Sequence, residues 1–145
     1  MKIILDAMGG DLAPEAPVLG ALAAAKDFGA QITLVGRGEA ILEAMRKNGI
    51  DTLPDGVEIA NADDVVDMHD DPAKVIRQKP NSSMVVGLKM LSDGQGDAFI
   101  SAGSMDGIQV LRNHRKGWHR RPAVYVCERP CTCCGNQRNI RDGQG

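Results

Sequence analysis

Short unbroken apolar runs alternate with longer segments of helical spacing through the first hundred residues. Lys2 to Leu5 is an aliphatic run that empties into Asp-Ala-Met-Gly-Gly, the pattern of a buried strand ending in a loop. Pro14 and Pro17 suit a first helical turn, and Glu15 is well placed near a helix N-terminus, so a helix is predicted through "VLGALAAAKDF", stopping at Gly29. "QITLVG" reads as a second buried strand. "EAILEAMRKNG" follows as a helix that places Ile41, Leu42 and Met45 on one face and ends at Gly49. "GVEIANA" is a third strand. Beyond the acidic segment "DDVVDMHDDPAKVIRQK", Asp71-Pro72 offers an N-cap and first-turn pair for a short helix, Asn81 a cap for "SSMVVGLKMLSDG", and Gly94 its stop. "DAFISAGS" is a further buried strand running into a Gly/Ser loop. This alternation of strand and helix predicts an α/β fold with a mostly parallel sheet covered by helices on both faces.

At 145 residues the chain has the length of one ordinary domain with its own core. It contains no apolar run long enough to span a bilayer, and Met1-Lys2 leads directly into strand-like sequence, so a cytoplasmic protein is expected. The overall charge of −2 conceals a split. Residues 1–100 contain 16 acidic and 9 basic side chains, whereas 101–145 contain 3 and 8. Cys127, Cys131, Cys133, Cys134, the single Trp118 and the single Tyr125 all lie in the basic part. The character of the sequence changes after about residue 104.

In open α/β sheets ligands gather beyond the carboxyl ends of the strands, where loops feed helix N-termini whose N–H groups point at anions. Three loops qualify: "DAMGGD" at 6–11, "VGRG" at 35–38 and "SAGS" at 101–104. The first lacks the Gly-Lys-Ser/Thr ending of a Walker motif and the Gly-x-Gly-x-x-Gly spacing of a dinucleotide loop. Gly9 and Gly10 let backbone approach a ligand closely, and Asp6 and Asp11 can orient a hydroxyl or amide or bind a cation; a plain tight connection is the other reading. Arg37 offers a guanidinium to phosphate or is a solvated loop arginine. Lys79, Ser82 and Ser83 either gather an anion at a helix start or, for Asn81 and Ser82, simply cap it. His69, among Asp67, Asp70 and Asp71, is a candidate acid/base group or an ordinary exposed histidine. No Cys-His or Ser-His-Asp spacing compels nucleophilic catalysis.

Taken together, "ILDAMGGDLAPE", "VVDMHDDPAKVIRQKPNSSM" and "GDAFISAGS" resemble the bacterial phosphate acyltransferase family of phospholipid synthesis, over most of residues 1–104. The resemblance implies a Rossmann-like three-layer α/β/α enzyme that makes acyl-phosphate from acyl-acyl-carrier-protein and inorganic phosphate, with no cofactor, no metal and no nucleic-acid partner. It also implies a homodimer at the cytoplasmic membrane surface, passing its product to a membrane glycerol-3-phosphate acyltransferase. Family chains are more than twice this length, so this chain is expected to be an incomplete form containing the first third. Phosphate itself attacks the thioester carbonyl in such a reaction, so the protein supplies position and anion stabilisation. The expected contributors are Asp6, Gly9, Gly10, Asp11, Ser82, Ser83, Ser101, Gly103 and Ser104, with free N–H groups at Gly9-Gly10 and Ala102-Gly103-Ser104. The alternative is a small non-catalytic α/β domain that binds an anion or nucleotide.

After "FISAGS" the family continues as Thr-Gly-Ala, an apolar helix and Gly-Ile-Asp-Arg-Pro-Ala, whereas this chain continues "MDGIQVLRNHRKGWHRRPAVYVCERP". Trp118-His119-Arg120, read one base later, permits Gly-(Ile/Thr)-Asp directly before Arg121-Pro122-Ala123. Residues 1–104 are therefore expected to be the N-terminal part of the acyltransferase domain, and 105–145 a divergent tail produced by a frameshift near residue 104. Two rival readings of the tail are a zinc or redox module built on its four cysteines with His114 and His119, and a nucleic-acid contact through Arg112, Arg115, Arg120 and Arg121.

Overall fold

The structure is a computed structural model that describes residues 1–67, 69–103 and the backbone of 123–126. Ser104, all four cysteines, His114, His119 and the tail arginines lie outside the described residues. In chain order the elements are β1 (Lys2–Asp6), α1 (Glu15–Phe28), β2 (Gln31–Gly36), α2 (Gly38–Lys47), β3 (Val57–Asn61), α3 (Pro72–Gln78), α4 (Ser83–Ser92), β4 (Ala98–Ser101) and β5 (Ala123–Val126). The strands lie in the order β3-β2-β1-β4-β5. Every neighbouring pair is parallel. From β1 the chain builds outward to β2 and β3, then returns to place β4 on the other side of β1. That reversal between β1 and β4 is a topological switch point of a doubly wound sheet.

Alternation along the strands separates two cores. Leu34 and Ile32 of β2 join Val18, Leu22, Ile41, Met45 and Val57 beneath α1 and α2. Ile4 and Val35 face the opposite way and join Phe99, Met84, Leu88 and Val75 beneath α3 and α4. The three-layer arrangement expected from the sequence is therefore present, and its parallel strands are aliphatic because both faces are covered. Helix ends follow local chemistry: Gly29 closes α1 at φ 61°, and Gly49 follows the Asn48 cap of α2 at φ 73°. The cap of α4 is Ser82, one residue later than Asn81, and its hydroxyl accepts the Val85 N–H at 3.4 Å.

α4 lies directly on the β1–β4 pair, and its small residues permit this. Gly87 sits against the Phe99 ring, so close that a Cβ there would collide with Cε2 of that ring and lie 3.5 Å from Ile4 Cγ2. One turn earlier on the same face is Ser83, at the carboxyl end of the strands. Among the described residues no helix is long and apolar enough to cross a membrane.

Candidate functional site

The last paired residues of β1 and β4 are Leu5 and Ile100, and one position further along stand Asp6 and Ser101. Strand alternation puts Asp6 on the same face as Ile4 and Ser101 on the same face as Phe99, so both point toward α4. There they meet: Ser101 Oγ donates to Asp6 Oδ2 at 2.8 Å, joining residues 95 apart in the chain. The Ser83 hydroxyl at the start of α4 and the backbone amide of Gly9 lie close enough to favour the charged form of the Asp6 carboxyl. Met8 N–H donates to Asp6 Oδ1 at 3.0 Å. Ser101 Oγ in turn accepts the Gly103 N–H at 3.0 Å. Asp6, Ser83 and Ser101 are 3%, 1% and 0% exposed, so this network is closed to bulk water.

Burial raises the Asp6 carboxyl above its ordinary value, and Ser83, Ser101, Met8 and Gly9 pull it part of the way back. Desolvation of a charge outweighs all four here. The glycines are what let the two loops close over this carboxylate. A Cβ on Gly9 would lie 2.7 Å from Ser101 Oγ, 2.9 Å from Asp6 Oδ2 and 2.9 Å from Gly103 N. Gly10 adopts φ +98°, a conformation favoured by glycine, and packs against Ala102.

The structure thus brings together Asp6, Gly9, Gly10, Ser83, Ser101 and Gly103 from the expected set. Asp11 is exposed beside them, Ser82 is occupied as a helix cap, and Ser104 lies outside the described residues. Of the amides expected to be free, that of Gly103 is already engaged. Gly10, Asp11 and Ala102 are the exposed residues among those described in the two loops.

The other candidates lie elsewhere. Lys79 Nζ donates to Asp70 Oδ2 at 2.6 Å and to the Val65 carbonyl at 3.0 Å, which commits it to the β3–α3 connection. That contact holds the Asp70 carboxyl below its ordinary value. Arg37 Nε donates to the Asp63 carbonyl at 3.0 Å. His69 is exposed, with its backbone N–H on Asp67 Oδ1 at 3.3 Å. Among the described residues no group of three or more His, Cys, Asp or Glu gathers in a manner that could hold a metal ion.

The Ser83 contact is the part that reading the loops alone leaves out. Its signal was present in the period of α4: Ser83 and Gly87 are small residues four apart on an otherwise apolar helix, marking the face that approaches the strands most closely.

A strand reversal flanked by two glycine loops defines a Rossmann-like α/β protein, and the carboxyl ends of β1 and β4 are its candidate ligand edge. The chain belongs to the fatty acid synthesis protein family, whose model matches residues 1–137. It is 41% identical over 135 residues to the phosphate acyltransferase of Herpetosiphon aurantiacus, covering 90% of this chain and 34% of that protein. To the phosphate acyltransferase of Trichodesmium erythraeum it is 40% identical over 126 residues, covering 85% and 36%. To that of Bacillus mycoides it is 42% identical over 111 residues, covering 76% and 32%. The chain spans about a third of the length of these curated relatives.

Proposed function

We propose that this chain forms the phosphate-binding wall of an acyltransferase that makes acyl-phosphate from acyl-acyl-carrier-protein and inorganic phosphate. The observation that carries the reading is the convergence of the Gly9-Gly10 loop and the Ser101–Gly103 loop at the switch point between β1 and β4. Exposed backbone at Gly10 and Ala102 lies where an anion is held by N–H groups, and phosphate needs no protein nucleophile to attack a thioester. The attack moves an oxygen lone pair of phosphate onto the carbonyl carbon and charge onto the carbonyl oxygen. Collapse of that tetrahedral species expels the pantetheine thiolate. Backbone donors fixed in place before the reaction stabilise this charge without reorganisation. Asp6, Gly9, Gly10, Asp11, Ser82, Ser83, Ser101, Gly103 and Ser104 remain the residues assigned to the phosphate and thioester site in this reading.

The wider reading, supported by the resemblance, is a homodimer working at the cytoplasmic membrane surface with a membrane glycerol-3-phosphate acyltransferase as the consumer of its product. For the chain itself, residues 1–104 are assigned to the acyltransferase domain and 105–145 to a frameshifted tail. β5 begins at Ala123, directly after the Arg121-Pro122 at which the reading frame of the family is expected to return, and this supports the assignment. The coding DNA from codon 100 onward tests it: no family continuation in any frame overturns the frameshift.

The functional test is substitution by alanine, in a full-length relative, of the glycine and serine that match Gly10 and Ser104. Phosphate affinity and turnover should both fall. Unchanged values for both overturn the phosphate-wall reading.

A further inference from the structure

The Asp6 carboxylate lies at the centre of the candidate site, yet the geometry gives it little opportunity to touch a ligand. It is 3% exposed, lies beneath Gly9, and receives the Ser101 hydroxyl and the Met8 N–H at 2.8 and 3.0 Å. The Ser83 hydroxyl and the Gly9 amide also favour its charged form. A carboxylate is an acceptor only. An incoming phosphate is also an acceptor and an anion. It finds on Asp6 neither a donor nor a complementary charge.

What Asp6 does accomplish is connection. Its two donors, the Met8 amide and the Ser101 hydroxyl, come from separate places, the loop after β1 and the end of β4. Ser101 extends the connection, because the hydroxyl that donates to Asp6 accepts the Gly103 N–H through the same oxygen. The two glycine loops are therefore locked to one another through a single buried charge. Among the described loop amides, those of Met8 and Gly103 are engaged in this lock, and Gly10 and Ala102 are exposed beside it.

Resting on the phosphate reading above, we infer that Asp6 is a positioning residue: through Ser101 it sets the spacing of the Gly10 and Ala102 backbones that receive phosphate, and it makes no contact with phosphate itself. This reassigns Asp6 from ligand to tether, with Ser101 as the intermediary.

The experiment is a titration of the full chain, labelled with nitrogen-15 and carbon-13, with inorganic phosphate, followed by NMR. Phosphate should shift the Gly10 and Ala102 amide resonances and leave the Asp6 side-chain carboxyl carbon in place. A carboxyl shift equal to or larger than the amide shifts overturns the tether. In Ser101→Ala, phosphate affinity should drop by about tenfold, equivalent to about 1.4 kcal/mol. The Asp6→Asn/Ser101→Ala double variant should be no worse than the more affected single, because both act along one connection. Fully additive losses overturn the inference. Hydrogen exchange separates failure of the two ideas. If phosphate shifts nothing in the parent chain, the phosphate reading has failed. The tether is then judged by whether Asp6→Asn accelerates exchange at the Gly103 amide, which Asp6 reaches only through Ser101; unchanged exchange there overturns it.

Discussion

Substituting Gly9 with alanine introduces one methyl group at the most crowded polar point of the structure. The new carbon would lie 2.7 Å from Ser101 Oγ and 2.9 Å from both Asp6 Oδ2 and Gly103 N. None of the three atoms is the free end of a flexible side chain: Ser101 is fully buried, Asp6 is buried and hydrogen-bonded to Ser101 and Met8, and Gly103 N is backbone. Relief requires moving Ser101, which stretches its hydrogen bond to the carboxylate, worth about 1.5–3 kcal/mol, and its bond from Gly103, worth about 0.5–1.5 kcal/mol. Against this stands a gain of about 0.4–1 kcal/mol from the lower entropy of an unfolded chain that contains alanine instead of glycine. The net expectation is a loss of about 1–4 kcal/mol. Urea unfolding followed by circular dichroism measures it; at a slope of about 1.5 kcal/mol per molar, a loss of 2.5 kcal/mol moves the midpoint by about 1.7 M. Adding Ser101→Ala removes one of the three obstructing atoms, so the double variant should cost less than the sum of the singles. A Gly9→Ala midpoint within about 0.3 M of the parent, less than about 0.5 kcal/mol at that slope, refutes the close approach of the two loops.

Other consequences follow from the same contacts. Because the folded Asp6 carboxyl is raised, the native state retains a proton that the unfolded chain releases near 3.8, so Asp6 lowers stability as pH rises from there through its folded value. Asp6→Asn should abolish that component in urea midpoints taken across the acid range; an unchanged profile counts against it. Asp70 has the opposite sign: its carboxyl is depressed by Lys79, so its stabilisation is present above 3.8 and fades as pH falls through its folded value. Lys79→Met should remove this acid-dependent loss, and persistence of the loss contradicts the assignment. Gly87→Ala gains about 1 kcal/mol in helix propensity but incurs about 1–3 kcal/mol of overpacking against Phe99, so its thermal midpoint should fall; a rise shows that α4 can lift from the sheet at little cost. Ser82→Ala should cost about 0.5–1 kcal/mol through loss of the α4 cap, and an unchanged midpoint would show that the 3.4 Å contact with Val85 adds nothing.

The elements of this fold were legible because their signals are local. Gly29 and Gly49 mark helix ends through their own backbone freedom, and the aliphatic runs at Leu5, Leu34 and Phe99 declare strands covered on both faces. Strand order was not available from those signals. Alternation implies parallel neighbours, but which side of β1 receives β4 depends on packing between distant segments. The same limit applied to the site. Asp6 and Ser101 were both named from their loops, whereas their pairing depends on the register that sets Leu5 opposite Ile100. Without that register, the Gly103 amide reads as free for a ligand, when in the folded chain it is committed to Ser101. Lys79 was misleading for a related reason: beside two serines it reads as an anion ligand, but the fold returns Asp70 to within 2.6 Å of it.

The bond between Asp6 and Ser101 also has a timetable. Its partners are separated by 95 positions, and they approach only when β4 docks beside β1, on the side of β1 away from β2. A ribosome adding about 5–20 residues each second makes the Gly-Gly loop wait on the order of 5 to 20 s for Ser101 to be synthesised. Throughout that interval Asp6 lacks its cross-strand donor, and the edge of β1 that β4 will cover is open to other strands. Long-range pairing of this kind slows folding, since loop closure precedes the contacts that reward it. The pairing of the two glycine loops therefore waits for β4 to join β1.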